Sequence, residues 1–151
     1  MANLFDPEWD IDRDEPPYRW RRARLGRQAG AQRLGASLFE VAPGGHTFPL
    51  HAHLNNEELL VVVAGALEFD DADGATRTLQ EGEVVACPAG RGGAHRLRNE
   101  SDAPARVLIV STMRAPDINL FPDTNELWVR DYAPGLDPPD GAFDVHAPMP
   151  D

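Results

Sequence analysis

The chain has 151 residues, 42% of them hydrophobic, and a formal net charge of −11; all 14 of its cationic side chains are arginine. That length fits one domain with a sizeable core, and such an acidic surface is expected to repel nucleic acid and anionic membranes rather than bind them. No run of roughly 18 apolar residues occurs, so no transmembrane helix is expected, and the acidic N-terminus lacks the apolar stretch of a signal peptide, which makes the cytoplasm the expected location.

Residues 1–17 carry many acids and the pair Pro16-Pro17 without a clear period, and read as an extended arm. Five arginines follow between Arg19 and Arg27. A charge run of this kind is ordinarily a solvated or docking segment. Its competing reading is an anion clamp, because the arginine fork matches phosphate and carboxylate. Strand-like runs then arrive at close intervals, over residues 37–42, 47–53, 58–69, 76–79, 83–87, 95–99 and 106–113. Turn signals such as Pro43-Gly44-Gly45, Glu81-Gly82 and Ser101 to Pro104 separate them. Many short strands at this spacing predict an all-β sandwich or barrel. Cys87, the single cysteine, lies in the apolar run Val84-Val85-Ala86-Cys87 and reads as a small buried hydrophobe. The chain therefore divides into an arm (1–34), a barrel (35–114) and a Pro/Asp-rich extension (115–151). Within the extension, residues 126–132 read as a further strand or a docking segment carrying Trp128, with irregular chain beyond Gly135.

Residues 45–65 hold the densest chemistry. On a strand, side chains at i and i+2 share a face, so His51 and His53 point together with Ala52 opposed. Leu54-Asn55-Asn56 breaks the strand and Glu58 opens the next apolar run, so a hairpin here returns Glu58 to the two imidazoles. With His95 downstream, three histidines and one carboxylate form a candidate site for a divalent Fe, Mn, Ni, Co, Cu or Zn ion. Parity extends the reading. An inward Glu58 carries Leu60 and Val62 inward and leaves Leu59, Val61 and Val63 outward, although these are apolar too. Either the arm or a second subunit must cover them, and a homodimer is expected. An inward His95 carries Leu97 and Asn99 with it.

These residues resemble the cupin superfamily. Gly45, His51, His53, Glu58 and Gly65 match its first motif, G(X)5HXH(X)3–4E(X)6G, and only Glu58, not the adjacent Glu57, stands six residues before the glycine. Gly82, Pro88, Gly90, His95 and Asn99 match its second, G(X)5PXG(X)2H(X)3N, with one departure: four residues, Arg91-Gly92-Gly93-Ala94, separate Gly90 from His95 where the pattern has two. The resemblance implies a double-stranded β-helix (jelly-roll) barrel over about residues 35–114, with His51, His53, Glu58 and His95 holding one divalent transition metal ion. The longer loop is expected at the barrel mouth, where Arg91 is the side chain best placed to meet an anionic substrate; simple solvent exposure is its alternative.

One barrel hosts many chemistries. The leading expectation is Lewis-acid chemistry of the isomerase or epimerase type on a sugar or sugar phosphate, as in small cupins described as sugar-phosphate isomerase-like. The alternatives are an Fe(II)-dependent dioxygenase and a non-catalytic module that binds or senses a small molecule such as a sugar. Tyr18, Tyr132 and Glu57 are general-base candidates by residue type alone. His46 has the opposite strand parity to His51 and reads as a rim residue, and His146 has no assigned role.

Overall fold

In the computed structural model, which describes residues 1–149, almost all regular structure is antiparallel β. The N-terminal region forms a hairpin of β1 (Ile11–Glu15) and β2 (Tyr18–Ala23), a single helical turn α1 (Leu25–Gln28), and β3 (Leu34–Val41). The barrel continues through β4 (Ala52–His53), β5 (Glu58–Ala64), β6 (Ala66–Asp70), β7 (Thr76–Gln80), β8 (Val84–Cys87), β9 (Arg96–Arg98) and β10 (Ala105–Thr112). The last third adds β11 (Asp117–Phe121), β12 (Glu126–Arg130) and β13 (Asp144–Pro148). They assemble into three sheets, ordered β1-β2-β3-β10-β5-β8, β13-β12-β11-β4 and β7-β6-β9.

Phe39, Val41, Leu60, Val62 and Val107 of the six-stranded sheet pack with Leu67, Phe69, Leu79 and Leu97 of the three-stranded sheet in one buried cluster. Apolar inner faces closed on one another in this way make the all-β barrel that the strand spacing predicts, with the jelly-roll form that the family resemblance implies. Leu60 and Val62 are buried almost completely, each contributing about 1.5–3 kcal/mol of hydrophobic stabilisation. Leu97 and Asn99 are likewise fully buried, as the parity of His95 requires. Asn99 closes its turn by donating to the carbonyls of Val41 (2.9 Å) and Ala103 (2.8 Å).

Several elements differ from the sequence reading, each for a physical reason. The run 47–53 keeps strand pairing only at Ala52–His53 and at isolated bridges from His46 and His51, because Pro49 has no N–H to donate to a ladder. The run 58–69 is cut at Gly65, where φ is +76° and the chain turns from β5 into β6. The arm is more ordered than its composition suggests. The hairpin β1–β2 pairs through β2 with β3, so the edge that β3 would otherwise expose is covered. Gly45 permits this approach: a Cβ there would lie 2.5 Å from the Arg19 carbonyl oxygen. Beyond Gly135 the chain is not irregular throughout, since β13 pairs along the whole of β12. Asp144 anchors it, accepting hydrogen bonds from Trp128 Nε1 and, at 2.8 Å, from the Tyr132 hydroxyl. Such side-chain anchoring leaves no trace in hydrophobic periodicity.

The outer face of the six-stranded sheet is also apolar. Ala2, Leu4 and Trp9 from the start of the chain pack with Ala23, Leu25, Leu38, Val63 and Leu108, so the arm covers part of this face. Leu59 and Val84 remain 40% and 55% exposed. Among the described residues no helix is long and apolar enough to cross a membrane.

Candidate metal centre

His51, His53, Glu58 and His95 converge inside the barrel, and all four are buried. Four separate pieces of backbone bring them there. His51 and His95 face each other across an isolated bridge in which each backbone N–H donates to the other's carbonyl (3.1 and 2.8 Å). His53 ends β4, and Glu58 opens β5 after the turn 54–57. Asn56 fixes that turn: its amide donates to the Arg114 carbonyl (3.0 Å) and to Asp117 Oδ1 (2.9 Å), and its carbonyl oxygen accepts from Thr112 Oγ1 and the Arg114 N–H. Gly93 closes the enlarged loop. It sits in a 3-10 turn over Arg91–Gly93, packed so tightly that a Cβ would lie 1.8 Å from the Pro88 carbonyl oxygen.

The imidazoles are oriented by their outer nitrogens. His51 Nδ1 meets the Pro49 carbonyl, His95 Nδ1 the Gly93 carbonyl and His53 Nδ1 the Asp117 carboxylate, each at 2.9 Å. Acceptors at all three positions require Nδ1 to carry the proton, which leaves Nε2 as the inward-facing nitrogen. Glu58 Oε2 lies 3.2 Å from His95 Nε2 and 3.7 Å from His53 Nε2. The ring centres of His51 lie 5.2 Å from His53 and 4.7 Å from His95, and the ligand atoms of His51, His53 and Glu58 all fall within 4.8 Å of one another. Three outer-held imidazoles and one carboxylate are a donor set that fits a divalent transition metal ion.

Electrostatics agree with the geometry. Burial holds the His51 imidazole neutral, with its pKa down at about 3. Burial would raise Glu58, but the hydrogen bond from His95 and the surrounding imidazoles prevail and hold it at about 2, fully ionised. Burial also opposes charge on His95, yet the neighbouring Cys87 thiol and Glu58 carboxylate push it up to about 10. A cation held between these groups would take the place of that proton.

The four-residue cluster was legible in the motif; its supports were not. Asp117 is fully buried and accepts from His53, Asn56, Asn119 and Arg130. Burial raises its pKa and these donors overcome that, holding it at about 2. Nothing local distinguishes it from the other aspartates of the tail. Arg91 takes the alternative reading, solvent exposure: its guanidinium rests 3.8 Å from Met149 Sδ, and it is not among the residues lining the cavity. Glu57 is exposed beside the buried Glu58, and none of Glu57, Tyr18 and Tyr132 lines the cavity. His46 sits outside it against Tyr18, ring centres 6.4 Å apart. His146 stacks on Trp128 at 5.2 Å on the rim. The cavity itself is a cleft of about 1280 Å³, with the four candidate ligands at its floor and Trp20, Phe39, Phe48, Ile109 and Phe121 among its walls.

A jelly roll with a histidine-rich, carboxylate-bearing centre inside the barrel defines a class of metal-binding β-barrels. Residues 37–111 match the family described as Cupin domain (Cupin_2), and the chain is a cupin of this small, single-barrel kind. It is 35% identical over 102 residues to the germin-like protein 5-1 of Oryza sativa, a match that takes in 62% of this chain and 43% of that protein, so the chain spans less than half the length of this curated relative. Among solved structures it is similar to a sugar phosphate isomerase of the cupin superfamily from Silicibacter pomeroyi, with 25% identity and a TM-score of 0.78 over 96% of this chain and 91% of the other. It is also similar to the polyketide cyclase RemF of Streptomyces resistomycificus, with 26% identity and a TM-score of 0.64 over 78% of this chain and 82% of the other.

Proposed function

We propose that this cupin is a divalent-metal-dependent enzyme of the isomerase or epimerase type acting on a sugar or sugar phosphate. The carrying observation is the convergence of His51, His53, Glu58 and His95, each imidazole oriented from behind, at the floor of a cavity large enough for a monosaccharide derivative. The similarity to a structure named as a sugar phosphate isomerase, extending over almost the full length of both chains, supports the substrate class. A bound divalent ion supplies Lewis-acid polarisation of a substrate carbonyl or hydroxyl. The protein's part is positional. Pro49, Gly93 and Asp117 fix the imidazole planes, Glu58 contributes the negative charge, and the aromatic wall offers an apolar surface beside the reacting group. Ser111 and Asn119 offer polar contacts on the same cavity surface.

The protein acts, on this reading, as a homodimer in which the exposed part of the outer sheet face, with Leu59 and Val84, lies against a second copy. Turnover separates the reaction classes. Protein loaded anaerobically with Mn, Ni, Co or Zn is expected to interconvert a member of an aldose and ketose phosphate panel without oxygen, followed by NMR of the sugar. Activity that requires Fe(II) and consumes oxygen would make the protein a dioxygenase instead. Tight binding of one sugar without turnover would make it a binding module.

A further inference from the structure

The arginine run of the arm divides sharply once its contacts are known. Arg19 pairs with Asp14 at 2.8 Å, Arg21 with Glu40 at 2.7 Å, and Arg27 with Asp137 at 2.6 Å. Arg24 pairs with Asp10 at 3.2 Å and Asp137 at 2.7 Å. Arg22 alone of the five makes no side-chain hydrogen bond or ion pair among the described residues, and its Nε is buried without an acceptor. The two acids whose charge is felt at Arg22, Asp10 and Asp137, are the ones already committed to Arg24 and Arg27. Arg22 is partly buried and lines the same cavity as His51, His53, Glu58 and His95.

The strand explains its direction. Trp20 and Arg22 stand two residues apart on β2 and so share a face, and Trp20 is buried in the barrel core against Phe39 and Phe48. Its indole Nε1 is a second buried donor on that face without an acceptor. The Arg22 guanidinium lies 6.0 Å from the Phe39 ring, at the outer limit of a cation–π contact, which is weak compensation for a desolvated charge. From Phe39 the wall runs through Phe48 (5.5 Å between ring centres) to His51 (5.7 Å). An unpaired cation therefore stands on the same wall as the candidate metal ligands, separated from them by aromatic rings. A buried or half-buried charge is retained where something pairs with it. In a site for small molecules, the missing partner is a group on the ligand.

We propose that Arg22 is the anion-recognition residue of this site: it binds a phosphate or carboxylate at one end of a small polyol whose other end lies at the metal centre. The proposal rests on the metal-centre reading above and narrows its substrate to an anionic sugar. The guanidinium supplies two parallel N–H donors to an oxyanion, and the aromatic wall leaves the sugar carbons an apolar surface. The arm thereby acquires a function. Without the β1–β2 hairpin the barrel would keep its candidate ligands and lose its only cavity arginine that is free of an acid partner among the described residues.

Isothermal titration of metal-loaded protein with fructose 6-phosphate, glucuronate and neutral fructose tests this, using wild type, Arg22→Met and Arg22→Lys. Met keeps the apolar stem without the charge, and Lys keeps the charge without the fork. Wild type is expected to bind one anionic probe more tightly than fructose by about tenfold to a hundredfold, the range for a charge-assisted hydrogen bond. The preferred probe identifies phosphate or carboxylate as the anion. Arg22→Met should bring that ratio to within about threefold, with Arg22→Lys intermediate, and both variants should hold as much metal as wild type. A ratio unchanged in Arg22→Met, or no anion preference in wild type, overturns the proposal. Loss of metal from Arg22→Met would also overturn it, since Arg22 would then support the metal centre. Protein that takes up no ion, yet loses its anion preference in Arg22→Met, would refute the metal reading and leave Arg22 standing.

Discussion

Asp117 shows how far a residue's role can lie from its local sequence. It stands 64 positions from His53, in a tail of prolines and aspartates, yet it holds the His53 Nδ1 at 2.9 Å and is itself held by Arg130, Asn119 and Asn56. A carboxylate behind a metal-binding imidazole fixes its tautomer and raises its basicity. Asp117→Asn keeps the shape and removes the charge, and is expected to weaken binding of Zn or Mn by about 10–100-fold, the usual cost of such a change. Competition with a chromophoric chelator measures it, and an unchanged affinity would show that His53 is not a ligand. His51, His53 and Glu58 could be read directly because their relation is local: a strand period of two and a short turn. Asp117 and Asn56 meet His53 and Arg114 only through pairing across the chain, so nothing near them in sequence marks them, and the arginine run that contains Arg22 does not show which of its members is left unpaired.

Among the elements, the three strands of the β7-β6-β9 sheet are tied to one another by one buried carboxylate. Asp70 at the end of β6 accepts from Arg96 (2.7 Å) and Arg98 (3.0 Å at each oxygen) on β9 and from Thr76 (2.6 Å) on β7. Burial raises its pKa, but the hydrogen bonds from Arg98, Thr76 and Arg96 prevail and hold it well below the ordinary carboxylate range. A carboxylate depressed in the folded state stabilises fully above its unfolded value, about 3.9, and loses that contribution as pH falls below it. Asp70→Asn is therefore expected to lower stability at pH 7 by about 1–3 kcal/mol, as for charge-assisted hydrogen bonds, with the gap to wild type closing as pH falls below about 3.9. Thermal unfolding of both proteins between pH 2 and pH 7 follows this, and a constant gap would contradict it. The barrel strands were legible because buried apolar positions alternate along them. The arm hairpin and β13 were not, because they are held by ion pairs and single side-chain anchors such as Asp144 rather than by an apolar period.

For the whole molecule, the outer face of the large sheet is covered by the arm on one side and exposed on the other. The sequence offered both the arm and a second copy as its cover, and the arm accounts for Val63 and Leu108 but leaves Leu59 and Val84 in solvent. A second copy covering the exposed side is expected to give twice the 16.6 kDa chain mass by light scattering at low micromolar concentration. Val84→Glu, placed on the exposed strand at the sheet edge, should return the protein to the chain mass, while wild type already at 16.6 kDa refutes the dimer.

All of this turns on whether the barrel holds a metal ion. Elemental analysis of protein purified without added metal, then again after incubation with Mn, Fe(II), Ni and Zn in turn and desalting, tests it most directly. The account predicts about one divalent ion per folded chain in wild type, since three imidazoles and a carboxylate are already placed for it, and near-complete loss in His53→Ala with the β-sheet circular dichroism unchanged. Wild type that takes up none of these ions, or His53→Ala that retains the full wild-type content, would contradict it.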